Sequence, residues 1–191
     1  MKNFNALKGS IAAVSLLALA ACGSRADEEP AEPVAAEPAA TETETDTAAV
    51  MEPEVEPNGT VIEIQMLTRD PDGSGMQVFR PQLITAKVGD TIKFIPTDPT
   101  HQSSSIDGML PDGVRGWEGE VNKEISYVVP KPGIYGYQCV PHYAAGMIGL
   151  IIVEGDGMTD NLEAAKAASH PGLAGRKFEE IFAAAEAQGM L

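Results

Sequence analysis

The stretch Gly136-Tyr137-Gln138-Cys139-Val140-Pro141-His142-Tyr143-Ala144-Ala145-Gly146-Met147 sets a thiol, an imidazole and a thioether at the spacing Cys-x2-His-x4-Met, on what reads as a tight loop between two strands. Two His and one Cys in a trigonal array with a long axial Met are the ligands of a type 1, or blue, copper centre, so one more His must come from elsewhere in the fold. The chain has three His. His170 falls in a helical tail, which leaves His101, at the end of a strand, to complete the set His101, Cys139, His142 and Met147. A thiolate stays bound in both redox states and a thioether favours Cu(I). A site constrained between the geometries that Cu(I) and Cu(II) prefer reorganises little when an electron moves, so these residues imply one copper per chain passing single electrons.

Other readings of the same residues compete. A lone Cys in a strand is commonly a small buried hydrophobe, and a lone Met before an apolar strand is commonly core. Structural zinc sites take four Cys or His ligands, and a thioether makes a poor fourth. A multicopper oxidase needs more imidazoles than three, and a binuclear copper site needs two bridging Cys where this region has one. A copper storage or delivery module remains the alternative function, and it would require exchangeable metal. The expected role is that of an electron carrier and not an enzyme.

Strands must position these ligands. Segments rich in β-branched and apolar residues recur at Val61–Leu67, Gln82–Lys87, Thr91–Ile95, Glu124–Val129, Ile134–Cys139 and Met147–Val153. Turn formers separate them, among them Asp70-Pro71-Asp72-Gly73 and Pro130-Lys131-Pro132-Gly133. That spacing predicts an all-β sandwich or barrel over residues 59–155. Alternation of Ile125, Tyr127 and Val129 predicts one buried face for that strand. After Gly157 the pattern turns helical. Asp160 is expected to cap a first helix, with Glu163 at the capping-box position, and the helix should end before His170-Pro171. Phe178, Ile181, Phe182 and Ala185 follow the i, i+3, i+4, i+7 stripe, which predicts a second helix over Ala174–Gln188. Residues 156–191 are thus expected to pack on the barrel as two helices. His170 is expected at the surface between them, and Trp117 is expected in core or loop packing.

The first 58 residues differ in kind. Lys2 and Lys8 precede an apolar run, Ile11 to Ala21, of 11 residues, too short for the ~20 that a spanning helix needs and typical of a secretory signal over residues 1–21. Its end, Leu19-Ala20-Ala21-Cys22, is similar to the bacterial lipobox, with Cys22 as the lipidated residue. Ordinary cleavage after Ala20 is the alternative. Lipidation would also remove a free thiol that could pair with Cys139 in an oxidising compartment. Residues 23–58 are mostly Ala, Glu, Pro and Thr and hold one cation against eleven carboxylates, a net −10 of the chain's −15. Such a segment cannot bury enough surface to fold and is expected to be a disordered acidic tether over residues 22–58, reaching about 30–36 Å as a flexible coil. Residues 59–155 hold seven cations against eleven carboxylates, a net −4. No basic stripe invites nucleic acid.

From about Gly75 to Gln188 the sequence resembles the pseudoazurins, cupredoxins of bacterial periplasms. The likeness rests on the ligand loop, on Met76-Gln77-Val78-Phe79-Arg80-Pro81 as similar to the family's first strand, and on Val88 to Pro96 as similar to its ligand-bearing strand region. Gly108-Met109-Leu110-Pro111-Asp112-Gly113 and the paired helices after Gly157 extend it. Plastocyanins share the loop spacing but lack the helices. The resemblance implies an eight-stranded Greek-key cupredoxin barrel with two C-terminal helices, the same four copper ligands, and a monomer. It implies redox partners such as nitrite reductase, nitrous oxide reductase, peroxidase or a c-type cytochrome. The electron exit is expected at the outer edge of His142, ringed by Pro141, Ala144, Ala145 and Met76. The expected location is the periplasm, on a membrane through the lipid anchor, with Gly23 favouring the outer membrane. One departure lies beside the first ligand: the family has Asn there and this chain has Gln102, whose backbone N–H is still placed to donate to the thiolate, a role Pro141 cannot share. A second is electrostatic. The family docks through lysines, and the candidates here are Arg80, Lys87, Lys93, Arg115 and Lys131.

Overall fold

The structure is a computed structural model that describes residues 55–191. The signal at 1–21, Cys22 and all but the end of the 22–58 segment lie outside the described residues. Eight strands alternate buried and exposed residues or are buried throughout: β1 Val61–Arg69, β2 Met76–Arg80, β3 Leu83–Lys87, β4 Thr91–Ile95, β5 Ser104–Ser105, β6 Ile125–Val128, β7 Gly133–Gln138 and β8 Ile148–Glu154. They form two four-stranded sheets, ordered β2-β1-β4-β6 and β3-β8-β7-β5. β1 runs parallel to β4 and β3 parallel to β8, while the other pairs are antiparallel. Neighbours in the sheets are thus often distant in the chain, as the Greek-key expectation requires. Met76–Arg80, matched above to the family's first strand, is the second. The first is β1, and β2 folds back on it with Arg69 opposite Met76.

The period of two explains why β7 and β8 carry almost no polar residue. Tyr135, Tyr137, Ile151 and Val153 face the other sheet and join Ile64, Met66, Phe79, Ile92, Phe94 and Trp117 in one core. Their alternates Ile134, Ile148, Leu150 and Ile152 face the opposite way, into a second core built with Phe178, Ile181, Phe182 and Ala185. The C-terminal helices supply that second cover: α1 Leu162–Ala167 and α2 Ala174–Ala187. Burying each large apolar side chain contributes about 1.5–3 kcal/mol, so the stripe on α2 accounts for its docking.

Two expectations fail at the joints. Asp160 does not cap α1. Asn161 stands at the cap position but makes no capping bond, because its amide pairs with both backbone groups of Ile134 in β7, at 2.9 and 2.8 Å. A tertiary tie has outcompeted the local one. At the other joint, Asn58, placed in the tether by composition, is bonded into the barrel. Its backbone N–H donates to Gly89 (2.8 Å) and its side chain to Asp90 (2.7 Å).

Candidate metal centre

At one end of the sandwich, β7 runs into Cys139, a short 3-10 turn spans Val140–Ala145, and Gly146 (φ +88°) reverses the chain into Met147 and β8. Backbone bonds close the turn on itself: Cys139 N–H to Met147 O (3.0 Å), His142 N–H to Cys139 O (3.0 Å) and Met147 N–H to His142 O (3.2 Å). Cys139 and Met147 are thereby made neighbours across the mouth of a hairpin, and both are fully buried. His101 arrives from the loop after β4. Its carbonyl accepts from Asn122 (2.8 Å), Thr100 N–H donates to the Asn122 side chain (2.6 Å), and Asp98 N–H reaches Met66 O in β1 (3.1 Å).

These frames aim three donors at one point. His101 Nδ1 and His142 Nδ1 are 3.1 Å apart, and Cys139 Sγ lies 3.4 Å from the second and 3.9 Å from the first. Those separations let a single ion reach all three, and two imidazole nitrogens with a thiol sulfur are the softer donor set that copper takes. Met147, one residue past the reversal, is fully buried. The residues therefore fit copper. Burial pushes the Cys139 thiol pKa up, which opposes the thiolate a metal requires; the backbone N–H groups of Gln102 and His142 act the other way without overcoming it. Gln102 thus does with its backbone what was expected of it, while its side chain accepts the Ser104 hydroxyl (3.0 Å). Burial lowers the His101 pKa, as does a positive charge on His142, with Asp98 acting the other way.

Sequence reasoning missed two residues here. Thr68 Oγ1 lies 3.1 Å from His101 Nε2, and Thr68 N–H donates to Asp98 (2.7 Å). The outer nitrogen of His101 is therefore held by β1, which orients the ring. No local pattern marks Thr68, because it meets His101 only through the parallel pairing of β1 with β4. Trp117 behaves as expected: it is buried, stacks on Phe94 (5.4 Å between centroids) and donates to Ser103 (3.0 Å). His170 lies between the two helices, as expected; it is half-buried, with Nδ1 2.6 Å from the Tyr143 hydroxyl.

Around His142 the surface is apolar. Pro141, Ala144 and Ala145 are exposed, as is Val140, which was not singled out. Met76 is also exposed, and the β1–β2 register places it opposite Arg69, next in the chain to Thr68. Lys87 ends β3 opposite Glu154, at the other pole, and Lys131 donates to the Asp112 carbonyl. Arg80 pairs with Asp70 and Asp72, and Lys93 with Glu124.

Residues 64–154 match the family model for copper binding proteins of the plastocyanin/azurin family. Pseudoazurin from Methylorubrum extorquens is 43% identical over 122 residues, 64% of this chain and 80% of that protein. Pseudoazurin from Paracoccus pantotrophus is 41% identical over 109 residues, 57% of this chain and 72% of that protein. The chain belongs to the pseudoazurin family. A crystal structure of pseudoazurin from Methylobacterium extorquens AM1 superposes with a TM-score of 0.60 at 42% identity, covering 65% of this chain and 98% of that one. The match to the copper-binding family model begins inside β1. As a pseudoazurin, the protein binds copper and carries electrons as a blue copper protein, and it is not an enzyme.

Proposed function

We propose that His101, Cys139, His142 and Met147 hold the copper and that electrons enter and leave through the His142 ring. The convergence of the two Nδ1 atoms and the Cys139 sulfur within 4.8 Å carries this reading. Bound copper supplies a centre that takes up and releases one electron. The chain does the rest. Buried His101, Cys139 and Met147 exclude water, Thr68 holds the His101 ring, the two backbone N–H groups stabilise the Cys139 thiolate, and the hydrogen-bonded turn limits movement of His142 between redox states.

His142 is the only one of the four side chains that is not fully buried, which supports it as the exit. Pro141, Ala144, Ala145 and Met76 form its apolar rim. Small apolar neighbours suit a transient contact of low area, in which a partner approaches closely and leaves again. Pseudoazurins donate electrons to redox partners in the periplasm. For this chain we infer a nitrite or nitrous oxide reductase, a peroxidase or a c-type cytochrome, met by a monomer. The Leu19-Ala20-Ala21-Cys22 sequence supports export and lipid attachment at Cys22, with Gly23 favouring the outer membrane. The acidic segment after it would then act as a tether, raising the effective concentration of the carrier near a membrane-associated partner.

The test is an optical and paramagnetic-resonance spectrum of the copper-loaded protein. An intense visible thiolate-to-copper band, retained through dialysis and lost in Cys139→Ala, is expected. A Cys139→Ala variant that keeps its full colour would overturn the ligand assignment. Rapid loss of metal from the wild type would favour storage or delivery.

A further inference from the structure

The loop between α1 and α2 lies against the turn that carries His142, and three observations describe the contact. Tyr143, the residue after His142, has its hydroxyl 2.6 Å from His170 Nδ1. Leu173 N–H donates to the Ala144 carbonyl at 2.8 Å. Gly172 (φ +56°) comes so near that a Cβ there would stand 2.3 Å from that same carbonyl oxygen. Close backbone approach of this kind needs glycine.

His170 is itself fixed from behind. Its ring lies over Phe178 on α2, 4.4 Å between centroids and 32° from parallel, and Phe178 belongs to the core that joins α2 to β7 and β8. A continuous path of packed groups thus runs from the sheet through Phe178 and His170 to Tyr143, and so to the backbone of His142. Burial lowers the His170 pKa, which favours the neutral imidazole that can accept a phenol hydrogen. The four ligands themselves sit on β-strand ends and their loops; nothing in the Cys-x2-His-x4-Met spacing requires a helical hairpin to touch them.

We propose that His170 is a positioning residue for the copper centre: by accepting the Tyr143 hydroxyl it clamps the outer side of the ligand turn to the α1–α2 loop and fixes the orientation of His142. This rests on the assignment of His142 as a ligand and extends it to a residue outside the cupredoxin sandwich. The helical extension then does more than cover β7 and β8. It stiffens the exposed side of the site, where the ligand otherwise has only its own turn to hold it.

Three variants test this. Tyr143→Phe removes the donor, His170→Phe keeps a ring on Phe178 but removes the acceptor, and His170→Gln retains an acceptor of similar reach. In the metal-free protein, hydrogen exchange at the Leu173 amide is expected to be roughly five-fold faster in Tyr143→Phe and in His170→Phe, the scale of one neutral hydrogen bond. The double variant should be no worse than either single, since both break the same link. In the copper-loaded protein, both Phe variants should shift the copper hyperfine coupling and the reduction potential in the same direction, with His170→Gln returning toward the wild type. Unchanged Leu173 exchange overturns the clamp. Faster exchange with an unchanged hyperfine coupling overturns the positioning role, leaving a contact that only adds stability. A wild type that does not turn blue overturns the ligand assignment and the positioning role together. Should His170→Phe fail to fold, Tyr143→Phe carries the same readouts from the other end of the bond.

Discussion

His101 is fully buried, its ring held by Thr68 in β1 and its carbonyl by Asn122, and it follows β4, whose Phe94 stacks on Trp117 in the core. His142 is half-buried on a six-residue turn whose neighbours Val140, Pro141, Ala144 and Ala145 are exposed. The contrast follows from two demands on an electron carrier. Little reorganisation requires ligands fixed by dense packing, which seals them from solvent. Transfer to a partner requires one ligand near the surface, where packing is one-sided and hydrogen bonds within the turn and to the α1–α2 loop supplement it.

The largest expected effect tests the sealed side. Phe94→Ala removes a fully buried ring that packs edge-on with Phe79 and Tyr137 and stacks on Trp117, and it should cost about 3–5 kcal/mol of unfolding free energy in urea titrations. A loss below about 1 kcal/mol would mean the core does not hold the His101 side as described. Next is Thr68→Val, which frees the outer nitrogen of His101 and should weaken copper binding about ten-fold in competition with a chelator. Equal affinity would remove the distinction in bracing between the two imidazoles. The smallest change in stability is expected on the open side. Ala145→Glu should alter it by no more than about 0.5 kcal/mol and leave the optical spectrum intact. Electron self-exchange, in which two copies must meet face to face, should nevertheless slow several-fold at low salt and recover as salt is added. An unchanged rate would place the exit elsewhere.

How far the site was legible depended on sequence separation. Cys139, His142 and Met147 lie within nine positions, so their spacing alone states that they share a turn. His101 was reached by counting imidazoles and reading strand ends. Thr68 was not reached, since a lone Thr in a strand carries no sign of the ring it will meet 33 residues later. The α2 stripe and the alternation in β6 were readable because burial imposes a period on the residues themselves. The cap of α1 was misread for the opposite reason: Asp160 and Asn161 are both good caps, and only the nearness of Ile134 decides that the Asn161 side chain goes elsewhere.

The ordering of donor types along one loop, the strand and helix periods, and the change of composition near residue 58 are properties of neighbouring residues, and the chain alone determined them. Which way β2 pairs, that Asn58 belongs to the barrel, and that His170 meets Tyr143 are distances between remote segments. Only tertiary packing decided those, because a hydrogen bond between such segments forms only after the intervening elements have been fixed in space.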